Sequence, residues 1–494
     1  MRPVVFLLCI GWLFFSQCLG PEKRKFTDAT SAQGFELAQQ YCQSCHLVPQ
    51  ATDLDKATWV NYVLPKMGLF LGYHSMGMNR YITKTAKPLL SLEDWDKIRH
   101  HFITEAPDQL SDTSNRKAIK TGLDGFEVLS GSQLTEQPLT TYIGYQEATG
   151  QLLVGDGMQP ALFVTDPTGI SKPATFSTGV GISHVITDTS LYVLTMGVLQ
   201  PSDSRLGALV KYNSETGAGQ TVLDSLQRPV HFVLEDLNQD GRKDIIVAEF
   251  GNQSGQLAWY EQTQQQTFLK HTLRAQPGAI RIITTDWNKD GHPDIVVLMA
   301  QGDEGVFLYE NNGTGQFKEK VLLRFPAVHG SNFLEMLDYN QDGLPDLLVT
   351  NGDNGDYPPV MKPYHGIRIF QNLGNNKFEQ VLFLPMNGVG KAMAADFNQD
   401  GHLDIAAISF FPDRIKSPEE AFVLWKGLGQ GDFEPTSFPE AKNGNWLTMD
   451  RADMDGDGDL DIVIGQASFG LNESGSGQAA GLQSSWILLK NRLR

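Results

Sequence analysis

The sequence predicts a small all-α domain followed by a large all-β propeller with seven blades. Two observations predict this fold. Near the start of the chain, three helix-like segments surround a Cys-x-x-Cys-His motif. Further along, an acidic turn motif recurs five times, each time among strand-like segments that form units of four, the composition of a propeller blade. We therefore expect the helical domain at 26–107, a linker at 108–138 and the propeller at 139–494.

Composition and charge limit the classes of partner. The chain has 494 residues, of which 41% are hydrophobic, enough for a substantial core. Its formal net charge is -18 at pH 7, and it has no block of lysine and arginine that could neutralise phosphates. We therefore expect no nucleic-acid partner.

The first residues, 1–20, have the plan of an export signal, with an early arginine followed by an apolar run. The run is too short for a comfortable membrane span. In its position, Cys18 resembles the lipidated cysteine of a bacterial lipoprotein. The alternative is ordinary cleavage after Gly20. Both alternatives predict an exported protein, in the periplasm or at the cell surface, and the first adds a lipid anchor.

Three helices are expected in the region 26–107. Residues 34–41 repeat apolar side chains on one face, which predicts a helix that ends at the Cys-x-x-Cys-His motif. Residues 54–64 predict a second helix, stopped by Pro65. Ser91 precedes two acidic residues and an apolar stripe, the pattern of a capped third helix.

The chemistry of this domain is expected at Cys42, Cys45 and His46, which have the spacing that attaches a haem through two thioethers and ligates its iron. With three short helices around it, this region resembles the small c-type cytochromes. The resemblance implies one covalent haem c, with His46 as proximal ligand and the Pro49 carbonyl orienting its ring. It also implies that the first and last helices cross closely at a small residue such as Gly34. A zinc or thioredoxin-like site would need a second ligand pair or a βαβ setting, which the sequence does not show.

The sixth haem ligand has several candidates. Met67 is the first choice because its spacing along the second helix is similar to that of short cytochromes with a distal methionine. The alternatives are Met76, Met78 and His74.

Five acidic segments have the form Asp-x-Asn-x-Asp-Gly-x-x-Asp or its all-aspartate version. Oxygen ligands at positions 1, 3, 5 and 9 around a glycine turn can converge on one hard cation, and Ca²⁺ suits such a flexible cage. We expect up to five Ca²⁺ ions. The expected ligands are Asp236, Asn238, Asp240, Asp244, Asp286, Asn288, Asp290, Asp294, Asp338, Asn340, Asp342, Asp346, Asp396, Asn398, Asp400, Asp404, Asp453, Asp455, Asp457 and Asp461.

The five segments begin about 50 to 58 residues apart, and strand-like runs flank each one. They resemble the FG-GAP, or VCBS, repeats of the integrin alpha-subunit propeller and of many bacterial exported proteins, from residue 228 to the C-terminus. Segments 152–156 and 186–193 look like two further blades without the acidic loop, which gives seven. We expect residues 486–489 to pair with strands near Tyr142 and close the ring.

Basic side chains recur at one position of the repeat. His231, Arg281 and Lys391 all lie five residues before the first aspartate of their loop, and His184 lies near the equivalent place. If the strand before the loop is innermost, these residues could surround the propeller axis and bind an anionic group. The alternative is that they are separate polar positions. His329, Asn332, Asn443 and Asn445 are further polar residues ahead of loops.

The sequence favours an exported haem protein that transfers electrons with a redox partner protein or a small molecule, its propeller serving for docking. One alternative is a dehydrogenase with its substrate site in the propeller channel and the haem as electron exit. Another is a surface adhesion or glycan-binding module. No nucleophile motif or dinucleotide fingerprint points to another reaction class.

Overall fold

The computed structural model describes residues 24–493. The exceptions are 78–79, 86, 113, 170–173, 188–189, 214–215, 356–359 and 469–483. The expected export signal with Cys18, and the ligand candidate Met78, lie outside the described residues. None of the described helices has the length and apolarity of a membrane span.

The helical part contains four α-helices and a small hairpin. The helices are α1 (Ala29–Cys42), α2 (Lys56–Thr58), α3 (Leu64–Leu71) and α4 (Leu92–Glu105), and the hairpin strands are β1 (Tyr73–Ser75) and β2 (Tyr81–Thr83). The expected N-cap is present, since the Asp94 N–H donates to Ser91 Oγ at 3.1 Å. The hairpin makes this part mixed rather than all-α.

The second helix does not stop at Pro65, as the sequence predicted. A π-helical turn, Trp59–Val63, joins α2 to α3, so that Pro65 falls in the first turn of α3, where a backbone N–H is not needed. The helix continues to Leu71 and ends at Gly72, whose φ of 96° is left-handed. Met67 therefore lies within α3.

Helices α1 and α4 cross at Gly34, as expected. A Cβ built at Gly34 would lie 2.1 Å from the Lys97 carbonyl oxygen, so only glycine permits this approach. The helices pack around one hydrophobic cluster, in which Trp59, Trp95 and Leu54 are almost fully buried.

The rest of the chain forms a seven-bladed propeller of four-stranded antiparallel units, as predicted. Blade 1 is β5–β8 (Thr140–Gln146, Gln151–Asp156, Ala161–Thr165, Ala174–Ser177) and blade 2 is β9–β12 (Ile182–Thr187, Leu191–Thr195, Gly207–Tyr212, Gly219–Leu226). Blade 3 is β13–β16 (Pro229–Glu235, Asp244–Glu249, Gln256–Gln262, Phe268–Arg274) and blade 4 is β17–β20 (Ala279–Thr285, Asp294–Met299, Gly305–Asn311, Phe317–Arg324). Blade 5 is β21–β24 (Ser331–Leu337, Asp346–Asn351, Gly366–Asn372, Phe378–Pro385) and blade 6 is β25–β28 (Val389–Ala395, Asp404–Ser409, Phe422–Gly427, Phe433–Ser437). Blade 7 combines β29–β31 (Trp446–Ala452, Asp461–Gln466, Trp486–Asn491) with β4 (Phe126–Ser130), and β3 (Lys120–Thr121) joins the edge of blade 6.

The ring closes differently from the sequence prediction. Strand β31 pairs with β4, with Ile487 opposite Ser130 and Asn491 opposite Phe126. The expected partner, the Tyr142 strand, is instead the innermost strand of blade 1 and contacts β29 of blade 7. The segment expected to be a linker, 108–138, therefore contributes two propeller strands.

The first strand of each blade is innermost. These seven strands contact one another in chain order, and β29 contacts β5 to complete the ring. The second strands of the blades with acidic loops are buried along their whole length because neighbouring blades cover both of their faces.

The helical part packs on the end of the propeller away from the acidic loops. Val328 joins the helical core, and the Tyr364 hydroxyl donates to the Asp53 carbonyl at 2.9 Å. These two propeller residues precede and follow the first two strands of blade 5, whereas the acidic loop joins those strands at their other end. Arg116 adds an ion pair to Glu420 at 2.7 Å on the same side as Val328 and Tyr364.

Candidate functional sites

The Cys-x-x-Cys-His motif lies where α1 ends. Cys42 is the last residue of α1, and the Cys45 N–H donates to its carbonyl in the turn that follows. Both thiols are free; Cys42 is half-buried and Cys45 is exposed. Burial, with a smaller effect of Cys45, raises the pKa of the Cys42 thiol to about 11. The two thiols therefore lie on either side of the turn that ends α1, and Cys42 packs against the helical core.

His46 is oriented by the backbone. Its Nδ1 lies 2.9 Å from the Leu47 carbonyl oxygen, which can only accept, so Nδ1 carries the proton. We expected the Pro49 carbonyl to accept this hydrogen bond, but in the structure the Leu47 carbonyl accepts it. The Nε2 lone pair is then available to a metal, the arrangement usual for ligating histidines.

The described candidates for a sixth ligand differ in burial. Met67 is half-buried and packs against the same core as Cys42. Met76 is 58% exposed, and His74 is also exposed. Two thiols, an imidazole and a thioether within one small domain are the donor set of a c-type haem, so the residues present fit that group.

The acidic loops share one backbone geometry. In the blade 4 loop, Asp286 accepts the Asp290 N–H at 2.9 Å and the Gly291 N–H at 3.0 Å. Gly291 has a φ of 86°, and the equivalent glycines of the other four loops are also left-handed. The same pair of hydrogen bonds to the first aspartate recurs in all five loops. The motif therefore encodes a preformed turn that gathers carboxylates at one end of the propeller.

The ninth aspartate of each loop has a framework role that the sequence did not predict. All five of these carboxylates are completely buried. Their Oδ2 atoms accept the backbone N–H of Leu237, Trp287, Tyr339, Phe397 and Met454 at 2.9–3.2 Å. Their Oδ1 atoms accept the backbone N–H of Gln262, Asn311, Asn372, Gly427 and Asn491 at 2.7–2.8 Å. Each ninth aspartate thus ties its loop to the last residue of the third strand of the blade, and keeps further lone pairs for a cation.

The loop of blade 7 has the highest density of carboxylates. Oxygens of Asp453, Asp455 and Asp461 lie within 4.8 Å of one another. Asp459, which the motif omits, adds a carboxylate that is 3% exposed and accepts no hydrogen bond from the described residues. Burial first, and then Asp457, raises the pKa of Asp459 to about 6.

The innermost strands carry a β-bulge at one equivalent position in all seven blades. A bulge redirects the side chain that follows it. The residues that follow the seven bulges are Tyr142, His184, His231, Arg281, Phe333, Lys391 and Thr448. They form one level of the central channel, which we call the bulge ring.

Contacts within the bulge ring bring the predicted basic residues together. The rings of His184 and His231 lie 4.2 Å apart between centroids and are tilted by 31°, and Arg281 Nη1 lies 2.8 Å from His231 Nε2. The Arg281 guanidinium and the Lys391 ammonium both lie 5.1 Å from the centre of the Phe333 ring. The sequence pattern predicted the basic members of this ring. It did not predict Phe333, because an apolar residue at that position does not stand out from the other strand residues.

Burial controls the charges of the bulge ring. Burial, reinforced by Arg281 and Lys391, lowers the pKa of His184 to about 3, and burial also holds the pKa of His231 well below its usual value. Burial lowers the pKa of Lys391 to about 8. Both histidines are therefore neutral at physiological pH, and the two cations of the ring are Arg281 and Lys391.

The other polar residues expected near the channel do not join the bulge ring. His329 stacks on Tyr364 at 4.8 Å beneath the helical part. Asn332 is itself a bulge residue, and its amide donates to the Val389 carbonyl of the next blade. Asn443 ends a short 3₁₀ turn, and Asn445 receives a hydrogen bond from Arg414.

Comparison with known proteins identifies the repeats. A family model described as an FG-GAP-like repeat matches residues 236–297, 286–349 and 338–407, which include the first four acidic loops. The chain therefore carries FG-GAP-like repeats from blade 3 into blade 6, in agreement with the sequence interpretation.

Solved structures of similar fold include BBS1N in complex with ARL6DN, at 8% identity and a TM-score of 0.46, with 76% of this chain and 98% of that chain covered. A protein from Lactobacillus plantarum aligns at 13% identity and a TM-score of 0.40, covering 61% of this chain and 86% of that one. An Agrocybe aegerita lectin that recognises non-reducing terminal N-acetylglucosamine aligns at 16% identity and a TM-score of 0.37, with 68% and 88% covered.

Proposed function

We propose that the protein is an exported electron-transfer protein, which holds one haem c in its helical part and uses its propeller for docking or ligand binding. The observation that supports the haem is the geometry at the end of α1. Two free thiols are followed directly by a histidine whose Nδ1 is engaged and whose Nε2 is available. A redox partner protein or a small-molecule donor or acceptor would exchange electrons with this site.

The residues would have separate roles. Cys42 and Cys45 would hold the group covalently, His46 would ligate it through Nε2, and Met67 would be the sixth ligand. A haem held in this way supplies a one-electron couple, and a methionine ligand raises its reduction potential. The Leu47 carbonyl would keep the His46 ring in its orientation through the hydrogen bond at 2.9 Å.

Expression together with haem-maturation machinery tests the proposal. The reduced-minus-oxidised absorbance spectrum should show the α band of a c-type haem, and denatured protein should retain the haem. The double substitution Cys42→Ala/Cys45→Ala should abolish this covalent retention. Retention of the haem by the double variant would refute the assignment.

Two matched methionine variants test the sixth ligand. Met67→Ala should change the absorbance of the ferric haem because it removes an iron ligand, whereas Met76→Ala should not, since Met76 is exposed. The opposite result would move the ligand to the segment after α3.

We also propose that the acidic loops bind Ca²⁺ ions that stabilise the propeller. The preformed turns and the carboxylate cluster of blade 7 support this. A ligand that binds only the folded state raises its stability, so chelation should lower the melting temperature and added Ca²⁺ should restore it. An unchanged melting temperature would refute the cation assignment.

A second candidate function is a dehydrogenase that oxidises a small molecule in the channel and passes electrons to the haem. The two cations Arg281 and Lys391 favour it, because a substrate site needs a few convergent polar groups. Haem reduction by an added substrate, lost in Arg281→Gln, would support it; reduction that is unaffected by this substitution would place the substrate elsewhere.

A further inference from the structure

The bulge ring contains two positive charges and no negative one. Its members other than Arg281 and Lys391 are neutral, because burial keeps both histidines unprotonated. Among the described residues, no carboxylate forms an ion pair with either cation. In a chain whose formal charge is -18, two unpaired cations near the propeller axis need a physical reason.

The hydrogen bonds of the ring show an excess of donors. A guanidinium can only donate, so Arg281 donates to His231 Nε2, and the His231 proton must be on Nδ1. His231 is 6% exposed, and its Nδ1–H has no acceptor among the described residues. The Arg281 Nε–H is likewise buried without an acceptor. Lys391 donates to one acceptor, the Met449 carbonyl at 2.6 Å, and its ammonium has three protons to donate.

The nearest carboxylates are already engaged. Glu335 accepts the Ala394 N–H at 3.1 Å and pairs with Arg451. Asp450 accepts the Tyr145 N–H at 2.9 Å. They stabilise the charges of both Arg281 and Lys391 from a distance, but they do not supply the missing acceptors.

We infer that the bulge ring binds the carboxylate group of a small organic acid, between Arg281 and Lys391. A carboxylate offers two acceptor oxygens, which match the free donors of Arg281 and Lys391, and one negative charge, which offsets one of the two cations. This inference needs neither the haem nor an oxidation step.

The pH dependence of binding follows from the groups around Lys391. Arg281 and Arg451 oppose its charge, while Asp450 and Glu335 favour it, and burial dominates to bring its pKa to about 8. Affinity for a carboxylate should therefore be constant from pH 6 to 7.5, and it should fall as the pH rises past about 8, when Lys391 loses its proton. Both histidines stay neutral across this pH range, so they cause no further change in affinity.

Isothermal titration calorimetry of the full mature protein tests the inference. Sodium acetate and sodium propionate are the probes, titrated at constant ionic strength against sodium chloride. We expect saturable binding that weakens at least tenfold in Lys391→Met and in Arg281→Gln. Arg414→Gln is the matched control, because Arg414 is a half-buried arginine that donates to the Lys442 and Gly444 carbonyls away from the ring.

Lys391→Met keeps the test decisive even if Arg281→Gln fails to fold, since it exchanges a buried cation for an apolar side chain of similar length. Absence of saturable binding by the carboxylates would overturn the inference. So would equal binding by wild type and Lys391→Met. Binding of sulfate or phosphate in preference to both carboxylates would overturn the assigned class of ligand.

Discussion

The ninth aspartate of each acidic loop provides the sharpest test of the propeller structure. Asp294 is completely buried; its carboxylate accepts the Trp287 N–H at 3.0 Å and the Asn311 N–H at 2.7 Å. Asp294→Ala removes both acceptors and leaves two buried donors unsatisfied. Each such donor costs about 1–3 kcal/mol, so the free energy of unfolding should fall by roughly 2–6 kcal/mol. The loss is large because backbone groups, which cannot move to water, make both bonds.

Two matched variants separate this effect from cation binding. Asp294→Asn keeps one acceptor oxygen, so it should lose about half as much stability as Asp294→Ala. Asp286→Ala removes the first aspartate of the same loop, but the N–H groups of Asp290 and Gly291 that it frees are exposed, and water can replace the carboxylate. In the absence of cations, Asp286→Ala should therefore cost less than about 1 kcal/mol.

Urea unfolding in excess EDTA is the suitable assay because chelation removes any contribution from bound metal. The expected order of unfolding midpoints is wild type, Asp286→Ala, Asp294→Asn and then Asp294→Ala. Equal midpoints for Asp286→Ala and Asp294→Ala would refute the argument, since the ninth aspartate would then be only another metal ligand. A loss below about 1 kcal/mol for Asp294→Ala would refute it as well.

Three further predictions concern other parts of the fold. Burial raises the pKa of Glu304 from 4.5 to about 8, so between these pH values the folded chain holds a proton that the unfolded chain lacks. The stability of the fold should therefore fall as the pH rises from 4.5 to about 8. Glu304→Gln should flatten that part of the profile of melting temperature against pH. Parallel profiles for wild type and variant would contradict this. A chain that begins at residue 132 lacks β4 and should melt at a lower temperature than one that begins at residue 112, which retains it; equal melting would mean that β4 does not close the ring. Gly34→Ala should separate α1 from α4, and amide hydrogen exchange in both helices should become faster. Ala38→Gly in the same helix is the control and should leave the crossing intact. Unchanged exchange in Gly34→Ala would contradict the close contact.

The acidic loops and the blade count could be predicted from the sequence because their signals are local. Each loop is a turn whose aspartate and glycine act on neighbouring backbone groups, as Asp286 does with Gly291. The offset of five residues between each basic residue and its loop also predicted correctly that His231, Arg281 and Lys391 lie close together. It did so because the bulge occurs at the same place in every innermost strand, and position in the sequence therefore corresponds to level in the channel.

The ring closure and the second helix show what local signals cannot supply. Strand β4 is five residues long, and its partner β31 lies more than 350 residues away in the sequence. Only the requirement that blade 7 have a fourth strand selects this pairing. A proline inside a helix removes a hydrogen bond, so Pro65 predicts a helix end. The π-helical turn before it shifts the register and places the proline in a first turn.

The positions of the sites decide how far they can influence one another. The helical part contacts the propeller through Asp53, Tyr364 and Val328, at the end opposite the acidic loops. The proposed cation binding at the loops would therefore change the charge of one end without contacting the Cys-x-x-Cys-His motif. The bulge ring lies between the two ends, on the innermost strands that lead into the loops. Of the three sites, it alone is built from all seven blades, so it is the site most sensitive to how well the ring is closed.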